Sequence, residues 1–189
     1  FVNGIVSQAD RIGGLIQGML QLSRIESGTG LQIEPFDVAI AIQPCLAAAS
    51  AMANSKEVDF SFTCESQPLV IHSDLNGFQT IASNLLSNAV RYTPAGGKVT
   101  ASLSREADAC ILVVEDTGIG IREEDLERIF ERFYRAEKDR SSETGGTGLG
   151  LSIVKHLTNG LGGSVTARSK PGQGSRFLVC LPLNSTSSR

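Results

Sequence analysis

The chain has 189 residues, of which 41% are hydrophobic and 20% are charged, and its formal net charge is −3. These values are typical of one ordinary globular domain, or of one domain with an appendage. They argue against a nucleic-acid-binding protein, since no run is rich in lysine and arginine, and against a membrane span, since no apolar run approaches ~18 residues.

The first 27 residues are predicted to form one helix. Ile5, Ile12 and Met19 recur every seven residues, and Leu15 and Leu22 follow the last two by three. This a/d spacing is typical of a helix that packs lengthwise on other helices. Because each of its internal glycines costs ~1 kcal/mol relative to alanine, we expect this helix to need a partner. Packing on its own domain is the alternative.

A glycine-rich and serine-rich linker at residues 27–30 separates this helix from a compact domain over residues 31–183. Asp74 is the expected N-cap of the strongest helix in that domain. The mixture of helices and adjacent strand pairs predicts an α+β sandwich with helices on one face of a mixed sheet. Residues 184–189 are an expected frayed tail. In chain order we predict strand 31–38, helix 39–54, strands 58–64 and 69–72, helix 75–92, strands 99–104 and 110–115, helix 149–159, and strands 164–169 and 175–181.

The four cysteines are Cys45, Cys64, Cys110 and Cys180. They are widely spaced and form no C-x-x-C pair. We therefore expect structural thiols in a reducing cytoplasm rather than a metal or redox site.

A polar face on predicted helix 75–92 is the first candidate site. Asn84 and Asn88 are four residues apart, so both project from one side of the helix, with Arg91 on the same side. An asparagine carbonyl is a hard neutral oxygen ligand suited to Mg²⁺, and an arginine can neutralise phosphate charge. A solvated helix face is the alternative interpretation.

A carboxylate in a glycine turn is the second candidate. The apolar strand at residues 111–114 leads to Asp116, which is followed by Gly118 and Gly120. A carboxylate here can accept a hydrogen bond from a ring amine such as that of adenine, and the glycines allow backbone and ligand to approach closely. Asp-Thr-Gly also occurs in aspartic proteases, but these need two such carboxylates, and the chain has one.

A glycine-rich helix start is the third candidate. Glycines at residues 145–150 run directly into predicted helix 149–159. Such a start presents free backbone N–H groups and the positive end of the helix dipole to an anion. The pattern is neither the G-x-x-x-x-G-K-[ST] phosphate loop nor a G-x-G-x-x-G turn after a strand. A glycine-rich turn before a packed helix is the alternative.

The segment between the two glycine turns concentrates charge, since fourteen of the 24 residues at 121–144 are charged. Its main apolar anchors are Ile129, Phe130 and Phe133. This composition predicts a mobile lid that closes on a ligand, with Arg135 and Arg140 as candidates to contact phosphates. A solvated charged loop is the alternative.

In this order, the Asn-x-x-x-Asn helix, the Asp-x-Gly-x-Gly turn, the Phe-x-x-Phe segment and the Gly-x-Gly-x-Gly helix start resemble the N, G1, F and G2 boxes of sensor histidine kinases. These kinases share an ATPase superfamily with gyrase, Hsp90 and MutL. The resemblance covers residues 31–183 as the ATP-binding catalytic domain and implies the fold of that superfamily, with helices over a mixed, mostly antiparallel sheet. Residues 1–28, which end in Leu-Ser-Arg-Ile-Glu-Ser-Gly, are similar to part of the second helix of the kinase dimerisation stalk.

For the asparagine helix, the resemblance implies a site for ATP and Mg²⁺. Asn88 would hold Mg²⁺, and Asn84 would line the phosphates. Arg91 and Tyr92 would flank the triphosphate and the nucleotide.

For the glycine turns, the resemblance implies that Asp116 binds the adenine amine against a wall shaped by Gly118 and Gly120. The remaining implied nucleotide contacts, from the glycine-rich helix start and from the lid, are Thr147, Gly148, Leu149, Gly150, Arg135 and Arg140.

The parent protein implied by the resemblance transfers the γ-phosphoryl group of ATP to its own histidine and then to a response-regulator receiver domain. Neither His72 nor His156 lies in a matching acceptor motif, so we expect the acceptor upstream and no autophosphorylation by this chain alone. A second copy would associate through the stalk, weakly for this chain. We expect a cytoplasmic domain, compatible with a parent anchored in the inner membrane, and no nucleic-acid partner.

Two other functions stay open at this point. One is a different member of the same superfamily, either an ATPase or a serine-directed kinase of anti-sigma type, which steady ATP hydrolysis would indicate. The other is a non-catalytic scaffold domain, which a failure to bind nucleotide would indicate.

Overall fold

A computed structural model describes residues 31–65, 68–135 and 147–184. The predicted stalk helix at 1–28, Arg140 and residues 185–189 of the predicted tail lie outside the described residues. Predictions about them therefore stay predictions.

The described residues form seven strands and five helices, in an order close to the predicted one. The strands are β1 (Ile33–Asp37), β2 (Asp59–Cys64), β3 (Val70–Asp74), β4 (Lys98–Glu106), β5 (Ala109–Asp116), β6 (Ser164–Ser169) and β7 (Ser175–Pro182). The helices are α1 (Val38–Ala41), α2 (Gln43–Ser55), α3 (Leu75–Tyr92), α4 (Glu123–Leu126) and α5 (Gly150–Gly160).

The main sheet has the strand order β2-β4-β5-β7-β6. Its β2–β4 pair is parallel and its other pairs are antiparallel, while β1 and β3 form a separate antiparallel pair. β5 lies at the centre, and its residues 110–114 are buried, which agrees with their continuous apolar run. The sheet is therefore mixed and mostly antiparallel, as predicted.

The helical layer is centred on α3, which packs between α2 and α5. The side chain of Asp74 caps α3, since its Oδ1 accepts a hydrogen bond from the Gly77 N–H at 2.5 Å. The apolar face of α3 packs into the core, because Phe78, Ile81, Ala82, Leu85, Leu86 and Ala89 are all buried.

The prediction of one helix over residues 39–54 is wrong at one point, because α1 and α2 are separate. Pro44 lies in the first turn of α2, where a proline is tolerated since the first N–H groups of a helix have no intrahelical partner. Val38–Ser55 together pass a length and hydropathy test for a membrane span. However, Ile42, Leu46 and Ala53 of this stretch are buried in the hydrophobic core, as in the core helix of a globular domain.

Helix α4 lies in the charged segment, where no helix was predicted. Its first turn carries Glu123, Glu124 and Asp125, and negative charge is favourable at this end of a helix dipole. The sequence conceals this helix because it is four residues long and has little apolar periodicity.

The four cysteines all lie within the described residues and form no disulfide, and Cys45 and Cys110 are buried. Burial, and secondarily the neighbouring Cys64 and Cys180, raise the pKa of the Cys110 thiol to about 12. Such a thiol stays protonated and unreactive, as expected of a structural cysteine.

Candidate functional site

A pocket opens between α3, the C-terminal end of β5 and the start of α5. It combines an apolar wall with a few convergent polar groups, which is the usual composition of a small-molecule site. Its lining residues are Asn88, Ala89, Tyr92, Asp116, Ile119, Gly120, Ile121, Arg122, Asp125, Ile129, Tyr134, Arg135, Leu151, Ser175 and Phe177.

Asp116 is the buried carboxylate of this pocket, with 9% of its surface exposed. Asp116 is the last residue of β5. Its Oδ1 accepts hydrogen bonds from the Gly118 N–H at 2.8 Å and the Ser175 N–H at 3.3 Å. A carboxylate has about four acceptor positions, so these two bonds orient the group and leave it capacity for a ligand.

The environment of Asp116 disfavours its charged form. Burial raises the pKa of the carboxyl group, and hydrogen bonds from the Gly118 N–H and from the backbone and hydroxyl of Ser175 partly oppose this rise. A buried carboxylate that is only partly compensated gains from any further donor. A ligand N–H group would provide such a donor.

The turn after Asp116 is tightly enclosed. The Ile119 N–H donates to the Tyr92 carbonyl at 3.2 Å, which ties the turn to the end of α3. Gly120 has a φ of +69°, and a Cβ at this position would lie 2.0 Å from the Lys170 carbonyl oxygen. Only glycine fits both the conformation and the space, so the turn forms a fixed wall of the pocket.

The two asparagines of α3 face the start of α5. A Cβ at Gly150 would lie 2.8 Å from Asn84 Oδ1 and 3.8 Å from Asn88 Nδ2, so the absence of a side chain permits the close approach. Asn84 Nδ2 donates to the Thr80 carbonyl at 2.8 Å, which directs its oxygen towards α5. Within the described residues, no side chain caps α5, and its first N–H groups are available to an anion.

The charged segment contributes another part of the pocket lining. Asp125 has a side chain only 4% exposed and accepts hydrogen bonds from Arg122 Nε at 2.8 Å and from the Tyr134 hydroxyl. Arg135 follows directly and lines the same pocket. A guanidinium group is therefore part of the pocket lining, where it can contact an anionic ligand.

Most of the sequence-predicted site residues come together here. Asn88, Tyr92, Asp116, Gly120 and Arg135 line the pocket. Asn84, Gly118 and Gly150 lie next to it. Asn84 faces Gly150, and the Gly118 N–H donates to Asp116.

The three predicted contact residues just before α5 are Thr147, Gly148 and Leu149, and each already interacts within the protein. Thr147 Oγ1 accepts from the Leu149 N–H at 3.4 Å, and the Gly148 carbonyl accepts from the Phe133 N–H. The Leu149 side chain is buried in the core, with 1% exposed. Only the backbone of Leu149 can therefore meet a ligand.

Arg91 is not among the residues that line the pocket. It lies at the C-terminal end of α3, where its carbonyl and that of Val90 accept hydrogen bonds from Lys56 Nζ. Burial, and then the charge of Arg91, lower the pKa of Lys56.

Sequence reasoning missed several lining residues. Ser175 reaches the site because it is the register partner of Asp116 across β5 and β7, a pairing between residues far apart in the chain. Asp125 and Tyr134 meet through a chain reversal in the charged segment. A sequence pattern carries no signal for either contact. The apolar wall was missed because its members, Ile119, Ile121, Ile129, Leu151 and Phe177, come from four separate segments.

Comparison with known proteins agrees with this geometry. Residues 73–185 match the family model described as histidine kinase-, DNA gyrase B-, and HSP90-like ATPase. The sensor-like histidine kinase SenX3 of Mycobacterium bovis is 36% identical over 183 residues, which is 96% of this chain and 44% of SenX3. The chain thus spans less than half the length of this curated relative.

Solved structures of histidine kinases share the fold. Full-length ShkA in complex with AMPPNP matches with a TM-score of 0.82 and 27% identity, covering 99% of this chain and 39% of ShkA. A mycobacterial sensor histidine kinase, MprB, matches with a TM-score of 0.68 and 29% identity, covering 79% of this chain and 97% of that structure.

Proposed function

Because this chain belongs to the family of histidine kinase-, DNA gyrase B- and HSP90-like ATPases, we propose that it is the Mg·ATP-binding catalytic part of a sensor histidine kinase. The observation that carries the proposal is the buried Asp116 in an apolar pocket, beside two asparagines and the start of α5, which no side chain of the described residues caps. An adenine ring and a polyphosphate need these two environments side by side.

For the adenine ring, Asp116 is the proposed recognition group. Its carboxylate accepts a hydrogen bond from the exocyclic amine, while Ile119, Ile121 and Phe177 cover apolar faces of the ring. Guanine carries a carbonyl oxygen at the corresponding ring position, which would face the carboxylate without a proton between them. An unpaired buried acceptor is costly, so the pocket should prefer adenine.

For the phosphates, the N–H groups at the start of α5 and the Arg135 guanidinium supply positive potential. The donor set also fits Mg²⁺, which binds through one or two protein oxygens and keeps water and phosphate oxygens as its other ligands. The Asn88 carbonyl oxygen would provide such a ligand beside Asn84. When bound, Mg²⁺ would neutralise charge that develops on the phosphates.

For the phosphoryl acceptor, a histidine outside this chain is proposed. His72 lies on β3, and its backbone N–H donates to the Leu183 carbonyl at 2.7 Å. The ring of His156 contacts Arg132 Nη2 at 2.9 Å. Neither residue lines the nucleotide pocket. Transfer of the γ-phosphoryl group to a histidine of the parent protein, and then to a response-regulator receiver domain, is the proposed reaction sequence.

For its assembly, we propose that the parent protein associates with a second copy through the stalk and places this domain on the cytoplasmic side. The relatives support this only by their names as sensor kinases.

The decisive experiment is calorimetric titration of the whole chain with a non-hydrolysable ATP analogue, with and without Mg²⁺. We expect one site, stronger binding with Mg²⁺, and loss of the Mg²⁺ effect in the Asn88→Ala variant. Ser87→Ala is a matched control, because Ser87 neighbours Asn88 and its hydroxyl donates to the Asn84 carbonyl at 3.2 Å without lining the pocket. An Asn88→Ala variant with an intact Mg²⁺ effect would refute the assigned role.

Incubation with γ-labelled ATP separates the kinase proposal from its alternatives. We expect no acid-labile phosphate on this chain and no steady hydrolysis. Steady hydrolysis would instead indicate an independent ATPase of the same family. Phosphate on His72 or His156 would contradict an acceptor outside the chain.

A further inference from the structure

A second buried carboxylate, apart from the proposed adenine contact, lies in the part of the pocket lining that the charged segment contributes. Asp125, at the end of α4, receives hydrogen bonds from Arg122 Nε at 2.8 Å and from Arg122 Nη2 at 3.4 Å. The Tyr134 hydroxyl donates a third bond to Oδ1. The Asp125 side chain is 4% exposed and that of Arg122 is 43% exposed, so the carboxylate is covered while its arginine partner reaches solvent.

The Tyr134 ring is held from a second direction. The guanidinium carbon of Arg128 lies 4.3 Å from the ring centroid, a distance at which a cation and an aromatic face attract each other. Arg128 Nε is itself 3.5 Å from a carboxylate oxygen of Glu131. The tyrosine is therefore fixed at its hydroxyl and across its face.

The residue before Tyr134 is bonded to the segment that precedes α5. The Phe133 N–H donates to the Gly148 carbonyl at 2.9 Å, two residues before α5 begins. Phe133 also has a φ of +62°, an unfavourable value for a non-glycine residue that persists where surrounding contacts impose it. Consecutive residues are thus anchored to α5 and to α4.

Arg135 is the next residue along the chain. It lines the pocket together with Tyr134, Asp125 and Asn88. An arginine that follows two anchored residues has a restricted set of positions, so less conformational freedom is lost when it binds a phosphate.

We propose that the hydrogen bond from Tyr134 to Asp125 positions Arg135 for contact with the nucleotide phosphates. Tyr134 and Asp125 are then positioning residues that act through Arg135. This inference rests on the proposed ATP-binding function. It goes beyond that function by assigning a phosphate-specific role to two residues that the sequence motifs do not single out.

The bond persists across the neutral pH range. Hydrogen bonds from Arg122 and then Tyr134 lower the pKa of Asp125, and the bond to Asp125 raises the pKa of Tyr134. The Asp125 carboxylate stays ionised and the Tyr134 hydroxyl stays protonated, so their hydrogen bond does not depend on pH in this range.

The test compares nucleotides with and without the outer phosphates. Affinities of the whole chain for a Mg-bound ATP analogue and for AMP are measured for the unmodified protein, Tyr134→Phe, Arg135→Gln and the double variant. We expect Tyr134→Phe to lower the affinity for the ATP analogue about tenfold, the effect of losing one charge-assisted hydrogen bond between Arg135 and a phosphate. The affinity for AMP should change less than about twofold. In the Arg135→Gln background, Tyr134→Phe should have no further effect. Asp125→Ala should reproduce Tyr134→Phe.

Each other outcome overturns the inference. Equal losses for AMP and the ATP analogue would indicate a general structural role. If Tyr134→Phe lowers the affinity for the ATP analogue as much in the Arg135→Gln background as in the unmodified chain, Tyr134 does not act through Arg135. Binding that depends on Asp116 but is insensitive to Tyr134→Phe would refute the positioning role and leave the proposed function intact. No binding by the unmodified chain would overturn both. Because Tyr134→Phe removes one oxygen atom, it tests the inference even if Asp125→Ala fails to fold.

Discussion

At the residue scale, Asp116 shows how a binding group is kept at a cost to stability. Its β5 backbone position is fixed by the sheet, and its surroundings exclude water. Burial raises the pKa of its carboxyl group, so the folded chain holds a proton on Asp116 more tightly than the unfolded chain does. A ligand donor would offset this unfavourable burial.

Asp116→Asn should therefore separate stability from binding. Asparagine keeps an oxygen for the Gly118 and Ser175 N–H groups but removes the buried charge and presents an N–H group to the adenine amine. We expect affinity for the ATP analogue to fall about 10- to 100-fold, measured by calorimetry. The free energy of unfolding at pH 7, from urea titration, should be unchanged or higher.

The pH dependence of this difference has a defined sign. A carboxyl group whose pKa is raised by folding contributes most favourably below the unfolded pKa of about 3.9, and this contribution is lost as pH rises through the folded pKa. The stability of Asp116→Asn relative to the unmodified chain should thus increase from acid to neutral pH. A difference that falls with rising pH would contradict the assigned cause.

Two buried threonines provide a matched pair. Thr158 and Thr93 are both 0% exposed. Thr93 Oγ1 donates to the Ala89 carbonyl at 2.7 Å, whereas Thr158 Oγ1 has no hydrogen-bond partner among the described residues. We expect Thr158→Val to stabilise the chain by about 1 kcal/mol and Thr93→Val to destabilise it by a similar amount, both measured by urea unfolding. The same sign for both changes would refute this account.

At the element scale, α3 links the fold to the site. One face of α3 packs in the core, and the polar side presents Asn84 and Asn88 to α5. Its start is set by Asp74, which accepts from the Gly77 N–H through Oδ1 and from the Gln32 N–H at 2.7 Å through Oδ2. One side chain thus caps α3 and ties down the chain before β1.

Asp74→Ala should remove both bonds and cost about 1–2 kcal/mol of unfolding free energy. Asp74→Asn, which keeps an oxygen acceptor for Gly77, should cost less. Urea titration of both variants tests this order. Because Asn88 lies more than three turns along α3 from Asp74, nucleotide affinity should change little; a large change would indicate that the cap also controls the site.

The contact between α3 and α5 gives a second prediction at this scale. A Cβ at Gly150 would meet Asn84 Oδ1, the end of a side chain that can move. Gly150→Ala should therefore leave the thermal midpoint nearly unchanged or slightly raised, since alanine favours helix. It should weaken the ATP analogue, because Asn84 must shift. Unaltered affinity would place the phosphates away from this contact.

At the scale of the whole molecule, the pocket joins parts of the chain that are distant in sequence. Its lining comes from α3, β5, the charged segment, α5 and β7, so a bound nucleotide stabilises the packing of helices on the sheet. Binding energy then appears directly as resistance to unfolding.

A Mg-bound ATP analogue at about 100 times its dissociation constant should stabilise the domain by about 2.7 kcal/mol. For a chain of this size the thermal midpoint should rise by roughly 5–10 °C, measured by scanning calorimetry. The matching GTP analogue should give a much smaller rise. Equal rises for the two nucleotides would contradict adenine recognition by Asp116.

The sequence by itself determined those features that depend on local chemistry. The Asp74 cap, the apolar run of β5 and the order of the four motifs follow from neighbouring residues, and the predicted cap and strand are confirmed in the described residues. Local chemistry also carried the missed break at Ile42, since Pro44 lies two residues later.

Only the tertiary structure decided which distant groups meet. Asp116 faces Ser175 because β5 and β7 pair in one register, and Gly150 meets Asn84 because α5 packs on α3. Tyr134 reaches Asp125 because the chain reverses between them, while Arg91 stays outside the pocket lining. These contacts result from the packing of the whole core, whose free energy is shared among many residues, so no short stretch of sequence encodes them.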